Sequence, residues 1–185
     1  MKCDVLEYRA RHAVPLLMGK IIIKLGDITQ ENVDVVVNAA NTRLAGGGGV
    51  DGAIHRAAGV SVMEECRKIG GCPTGEAMIT GAGSLKARKI IHTPGPVWHG
   101  GRRGEAEALR NCYRNSLRLA EESGAATIAF PAISTGMYGY PVKEAAEIAI
   151  SEGLKNKDNF DEIVFVCFSE YDYNVYEEVY KRMNG

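Results

Sequence analysis

Apolar residues along this chain recur at two periods, and the change from one to the other sets out the elements. Residues 19–25 (GKIIIKL) read as a strand. The run Val33, Val35, Val36, Val37 is short and β-branched, which predicts a buried strand rather than a helix. After it Val50, Ala53, Ile54, Ala57 and Ala58 fall at helical spacing, so a helix is expected to start near Val50. Ser61 stands where an N-cap would open a second helix through Ile69, with Gly70 and Gly71 as its stop. Residues 75–80 and 89–93 read as short strands. Leu109, Cys112, Tyr113, Leu117, Leu119 and Ala120 trace a helix over residues 105–123 that Gly124 ends. A further buried strand is expected at 127–130, a helix from Pro141 to about Lys155, and a last strand at 162–168. Asp172 is placed to cap a closing helix, whose Val175, Val179 and Met183 read as a core-facing stripe.

Strands alternating with helices predict an α/β fold with a largely parallel sheet, helices on both faces and ligands at the carboxyl ends of strands. A length of 185 residues suits one domain, here 19–185. Residues 1–18 match none of the patterns; they are read as an N-terminal extension, either a short docking helix or a run-in from an upstream start. A net charge of −1 provides no bulk field for nucleic acid or an anionic membrane, so an anionic ligand has to be held locally. No apolar run approaches the ~20 residues of a membrane span, and a cytoplasmic location is expected. The five cysteines Cys3, Cys66, Cys72, Cys112 and Cys167 are an odd number without a C-x-x-C pair. They predict reduced, packed thiols, with no disulfide frame, metal site or cofactor.

The candidate chemistry gathers where the first buried strand opens out. Asn38 and Asn41 stand at its end, Gly46 to Gly49 follow, and the helix then begins with Asp51 and His55 four apart on one face. A strand, a glycine turn and a helix start make an anion site: unpaired N–H groups and the positive end of the helix dipole meet a backbone that a phosphate can approach closely. Four glycines also describe an ordinary surface loop, no Walker lysine follows, and the spacing misses G-x-G-x-x-G. A second small, flexible stretch, residues 134–139 (STGMYG), follows another strand directly. By residue type alone Asp27 is a turn cap, His92 a packed strand-end histidine, Phe168 a core aromatic, and Arg102 and Arg103 a solvated pair on a loop.

GDIT at residues 26–29, VVNAAN at 36–41, GGGGVDGAIHRAAG at 46–59 and PAISTGMYGYP at 131–141 together resemble the macro domain family, most closely its MacroD-type branch, over residues 19–181. The resemblance implies a three-layer α/β/α fold around a mixed, largely parallel sheet of about six strands. It implies binding of ADP-ribose and hydrolysis of its esters: O-acetyl-ADP-ribose, or mono-ADP-ribose on protein Glu or Asp. Asp27 and the Ile28 backbone would meet the adenine, and Phe168 would stack on it. Gly47, Gly48, Gly49 and Val50 would hold the diphosphate from one side. Ser134, Thr135, Gly136, Met137 and Tyr138 would cross it from the other, with Tyr138 on the distal ribose. Asn41 would hold that ribose, Asp51 would orient or deprotonate a water, His55 would fix Asp51 by a hydrogen bond, and Asn38 would tie loop backbone together. A ligand phosphate remains a second candidate activator of the water. No serine or cysteine nucleophile with a base in reach is evident, so direct water attack is preferred. A non-catalytic ADP-ribose reader is the rival reading. With no Lys or Arg in either loop, backbone amides are the expected phosphate donors, and a β-carbon at Gly48 is expected to obstruct them.

Overall fold

The computed structural model describes residues 19–185. Their apolar runs form Lys20–Leu25 (β1), Val35–Ala40 (β2), Met78–Gly81 (β3), Lys89–Pro94 (β4), Thr127–Pro131 (β5) and Glu162–Cys167 (β6). The helices are Gly49–Ala58 (α1), Val60–Ile69 (α2), Glu105–Glu122 (α3), Val142–Asn156 (α4) and Glu170–Asn184 (α5), with short 3₁₀ turns at Ile28–Gln30 and Lys157–Asn159. The six strands make one sheet in the order β1-β6-β5-β2-β4-β3. All pairs are parallel except β3 with β4. The expected mixed, largely parallel α/β/α architecture is therefore present. The readings of residues 1–18, including Cys3, fall outside the described residues.

Period-two alternation decides which layer each strand residue joins. Val35, Val37, Ile128, Phe130, Ile163 and Phe165 pack with Tyr113 of α3, Ala145 and Ala149 of α4 and Tyr176 of α5. Val36, Ala129, Val164 and Val166 face the other way, onto Ile54 of α1 and Val62 and Cys66 of α2. Each large side chain buried in this way contributes on the order of 1.5–3 kcal/mol. The aromatic layer is continuous: Phe130 lies 5.2 Å from Tyr113 and 5.7 Å from Phe165, and Phe165 lies 5.9 Å from Tyr176. Glu152 of α4 is buried and bridges to Arg110 and Arg114 of α3, clamping that pair of helices.

Adjacent parallel strands β2 and β5 send their chains to opposite faces, β2 to α1 and β5 to α4. Their carboxyl ends thus part at a topological switch point, where an open α/β sheet leaves a crevice.

Several boundaries differ from the sequence pattern. β2 starts at Val35 and continues through Asn38 to Ala40, so Asn38 lies within a strand and not at its opening. The chain ahead of it is held by Asp34, whose carboxylate accepts from the Ala126 and Thr127 amides at 2.8 and 3.1 Å. Ser61 does not cap α2. The break falls at Gly59, whose φ of 90° favours glycine, and the helix runs on from Val60. Residues 75–77 precede β3 rather than joining it. Ser169, not Asp172, caps α5: its hydroxyl accepts from the Asp172 amide at 3.1 Å. In the α5 stripe Val179 is buried, Val175 packs against the core, and Met183 is exposed near the chain end. β6 stops at Cys167, which leaves Phe168 outside the sheet.

Candidate functional site

A cleft of about 570 Å³ lies over the carboxyl ends of β2, β5 and β6, within the size range of small-molecule sites. Asp27, Ile28, Asn41, Gly47, Gly48, Gly49, Val50, Asp51, Ser134, Thr135, Gly136, Met137, Tyr138 and Phe168 all line it. Two candidates do not. Asn38 is fully buried beneath the floor, and His55 stands behind Asp51 with its side chain only 8% exposed.

One wall is the start of α1. No side chain caps this helix at Gly48, and the N–H groups of its first turn have no intrahelical acceptor, so the helix presents free donors and its positive dipole end. The glycine turn lies close to the helix because Gly52 carries no side chain: a β-carbon there would come 2.2 Å from the Gly47 carbonyl. At Gly48, by contrast, an added β-carbon meets nothing within 4 Å and φ is −90°, so a side chain there is compatible with the fold and projects into open space.

The opposite wall, residues 132–140, is a strained turn. Ser134 has φ of 67° despite its side chain, and its buried hydroxyl has no partner among the described residues. Non-glycine residues in this region are uncommon and concentrate at functional sites. The turn is pinned by Tyr140 N–H to the Ser134 carbonyl and by Trp98 N–H to the Tyr138 carbonyl, at 3.0 and 2.8 Å. The Trp98 ring packs on Tyr140 at 4.6 Å. Gly95 permits this closeness, since a β-carbon there would lie 2.1 Å from Ser134 Oγ. Met137 at the rim is 95% exposed.

At the far end Phe168 is 86% exposed beside Val166 and Ile28, so it is a face offered to the cleft and not a core residue. Asp27 is the turn cap its residue type suggests: Oδ1 accepts from Thr29 N–H and Oγ1 at 2.9 and 2.7 Å. Its other oxygen has no partner among the described residues, and the side chain also lines the cleft.

Asp51 is the one titratable group at the junction of the glycine turn and the floor. Asn38 Nδ2 donates to its Oδ1 at 2.8 Å and Asn41 Nδ2 to its Oδ2 at 3.4 Å. His55 Nε2 lies 3.3 Å from Oδ1 without hydrogen-bond alignment, so in place of the bond expected between them there is a packing contact. Burial pushes the Asp51 carboxyl above its ordinary value, against the pull of Asn38 and His55. A carboxylate tuned upward in a cleft wall is suited to accept or orient a proton.

The loop-tying role expected of Asn38 falls to Asn41, which also lines the cleft. Asn41 ties the loop together: Nδ2 donates to the Gly46 carbonyl at 2.7 Å, and Oδ1 accepts from Arg43 and Ala45 at 3.2 and 3.3 Å. Asn38, expected to do this, instead holds Asp51. Alternation along β2 turns Asn38 into the interior while Asn41, past the strand end, keeps its amide in the cleft.

The sequence pattern missed Arg56 and Gly95, which both line the cleft. Arg56 was legible in principle, one turn beyond Gly52 on the helix that carries Asp51. Arg43, Arg102 and Arg103 are absent from the lining. His55, Cys66 and His92 bring ligand-capable atoms within 4.8 Å of one another, but His92 Nε2 is engaged by Thr80 Oγ1 at 2.9 Å. Burial pushes the Cys66, Cys72 and Cys112 thiols up to about 11 and Cys167 to about 12, which leaves no thiolate nucleophile among them at neutral pH.

The family model for the macro domain matches residues 37–149. A macro domain-containing protein of Chlorobaculum tepidum is 59% identical over 155 residues, 82% of this chain and 90% of that one. An O-acetyl-ADP-ribose deacetylase of Klebsiella pneumoniae is 53% identical over 162 residues, 84% and 93% of the two chains. A macrodomain of Oceanobacillus iheyensis, solved with ADP, superposes with a TM-score of 0.87 at 43% identity, covering 92% of this chain and 95% of that one. It has also been solved as an Asn-to-Ala, a Gly-to-Val and an Asp-to-Ala variant, the second with ADPR. Those three positions are spaced by seven and three residues, as are Asn41, Gly48 and Asp51. Matched in sequence over most of its length and in the arrangement of sheet and helices, this chain belongs to the macro domain family.

Proposed function

We propose that this protein binds ADP-ribose in the cleft and hydrolyses its acyl esters, O-acetyl-ADP-ribose foremost, by direct attack of water. The observation that carries this reading is Asp51: a buried carboxylate with a raised proton affinity, held by two amide donors, at the point where the helix start and glycine turn would receive the distal end of the ligand. Similarity to the deacetylase of K. pneumoniae supports the ester chemistry, and similarity to macrodomains solved with ADP and ADPR supports the nucleotide.

In this reading Phe168 stacks on the adenine and Asp27 accepts from its amine. The amides of residues 47–50 and of the 134–138 turn hold the diphosphate, with Tyr138 on the distal ribose. Asp51 takes a proton from a water as that water attacks the acyl carbon. The carbonyl oxygen gathers negative charge, the ester C–O bond breaks, and the ribose oxygen leaves with the proton that Asp51 took, which returns the carboxylate to its starting state. Asn41 keeps the glycine turn closed against the reacting centre. Ribose esters of protein Glu or Asp carry the same acyl carbon and fall within the same chemistry.

A relative's Gly-to-Val variant solved with ADPR, and the open space beside Gly48, support a Gly48→Val variant that folds and is expected to retain ADP-ribose. The deciding experiment measures acetate release from O-acetyl-ADP-ribose by the wild-type protein and Asp51→Ala, alongside ADP-ribose affinity by calorimetry. Release that depends on Asp51 at retained affinity is the expected result. Tight binding with no release from the wild type would make the chain an ADP-ribose reader.

A further inference from the structure

Asp51 is held from behind by side chains that lead away from the cleft and across three strands. Asn38 of β2, whose Nδ2 donates to Asp51 Oδ1 at 2.8 Å, stands in register opposite His92 of β4, and the same Nδ2 lies 3.1 Å from His92 Nδ1. His92 Nε2 lies 2.9 Å from Thr80 Oγ1 of β3, and Thr80 Oγ1 donates to the Gly81 carbonyl at 2.8 Å. Asn38 and His92 are fully buried and Thr80 nearly so. Cys66 Sγ, 3.7 Å from His92 Nε2, is a weaker second neighbour.

The direction of this chain follows from counting hydrogens. A hydroxyl has one, and that of Thr80 goes to the Gly81 carbonyl, so Thr80 Oγ1 accepts from His92 Nε2–H. A neutral imidazole protonated at Nε2 has a bare Nδ1, which accepts one hydrogen of the Asn38 amide. The second hydrogen of that NH₂ group is then directed to Asp51 Oδ1. Asn38 Oδ1 is left buried without a partner among the described residues. The flipped amide would set this oxygen against the Nδ1 lone pair and the carboxylate together, so the orphan is the cheaper arrangement. Burial and the adjacent His55 hold His92 down to about 3, so it stays neutral through the working range and the chain keeps its direction.

We propose that His92 and Thr80 are positioning residues of the hydrolysis: through Asn38 they form a one-way hydrogen-bond chain, anchored on the Gly81 carbonyl, that presents Asp51 to the attacking water as an acceptor in a single orientation. This rests on the reading of Asp51 given above. It differs from a merely packed polar core in that the tautomer of a histidine outside the cleft governs turnover without touching the ligand.

Nitrogen-15 NMR of the histidine-labelled protein at neutral pH reads the chain directly. The expected state of His92 is neutral with the proton on Nε2; a proton on Nδ1, or on both nitrogens, overturns the proposal whether or not any variant folds. Thr80→Val keeps the shape of the side chain and removes the acceptor. It is expected to lower kcat for O-acetyl-ADP-ribose about 10–100-fold, the scale of losing an outer hydrogen-bond partner, with ADP-ribose affinity within about twofold. Thr80→Ser restores kcat. A Thr80→Val protein with wild-type kcat, or one whose loss lies in affinity alone, overturns the positioning role. Absence of deacetylation in the wild type overturns the proposed function and the positioning role with it, and is told apart by the tautomer measurement, which needs no substrate.

Discussion

Asp51 and Phe168 face the same cleft and answer to opposite measurements. Asp51→Ala is expected to lower turnover about 10²–10⁴-fold, as loss of a general base does, while calorimetry finds ADP-ribose affinity nearly unchanged. The same residue carries a stability signature. Burial raises its carboxyl above the ordinary 3.8, so in the folded state ionisation is disfavoured and stability falls as pH rises through the folded value; below 3.8 both states are protonated and the effect is gone. Asp51→Asn is therefore expected to melt higher than the wild type at neutral pH, with the gap closing in acid, and thermal melts at pH 7 and pH 3.5 test both halves. Phe168→Ala leaves the fold intact, because the ring is 86% exposed. It is expected to weaken ADP-ribose by roughly 1–3 kcal/mol, the scale of a base–aromatic stack, with kcat at saturation unchanged.

Two loops depend on one helix start. Glu105, in the first turn of α3, accepts from the backbone N–H groups of His99, Gly101 and Arg103 at 3.0, 3.2 and 2.6 Å. Burial pushes its carboxyl up, but the backbone donors outweigh that and hold it below the ordinary 4.5. The stabilisation is thus present above that pH and lost as pH falls through the folded value. The loop held in this way carries Trp98, whose N–H and ring support the 134–140 turn. Glu105→Ala is expected to speed hydrogen exchange over residues 96–104, shift the emission of Trp98, the single tryptophan, and weaken ADP-ribose several-fold. Unaltered emission and affinity would show that the two loops are independent. The residues with the clearest sequence signal here, the Pro and Gly of residues 94–104, mark a loop; what the loop braces depends on a Trp98–Tyr138 contact across 40 positions.

Over the molecule as a whole, a net charge of −1 and a cleft with Arg56 as its single Lys or Arg among the described residues leave short-range dipoles, in the proposed reading, to do most of the anion holding. Debye screening acts chiefly on exposed charges more than ~8–10 Å apart and little on close contacts in a cleft. ADP-ribose affinity is expected to change less than about threefold between 50 and 500 mM NaCl, and Arg56→Ala to remove most of that residual slope. A steep dependence in the wild type would place the phosphates on basic side chains instead.

Local physics encodes much of this protein without reference to any long-range contact. The β-branched runs, the helical stripes of α1 and α3, the stop at Gly124 and the strand, glycine turn and helix start around Asp51 are each encoded within a few residues, because propensity, periodicity and glycine freedom act over one turn or one pleat. Tertiary structure decided what those segments meet. Register between β2 and β4 brought Asn38 to His92, and pleat alternation turned it inward toward Asp51, so the loop tie expected of Asn38 fell to Asn41. The end of β6 at Cys167 put Phe168 into the cleft rather than the core, and the approach of Gly95 to Ser134 joined two segments 39 positions apart. Strand-end geometry and cross-strand register depend on how separate elements dock on one another, and no window of the sequence contains both partners.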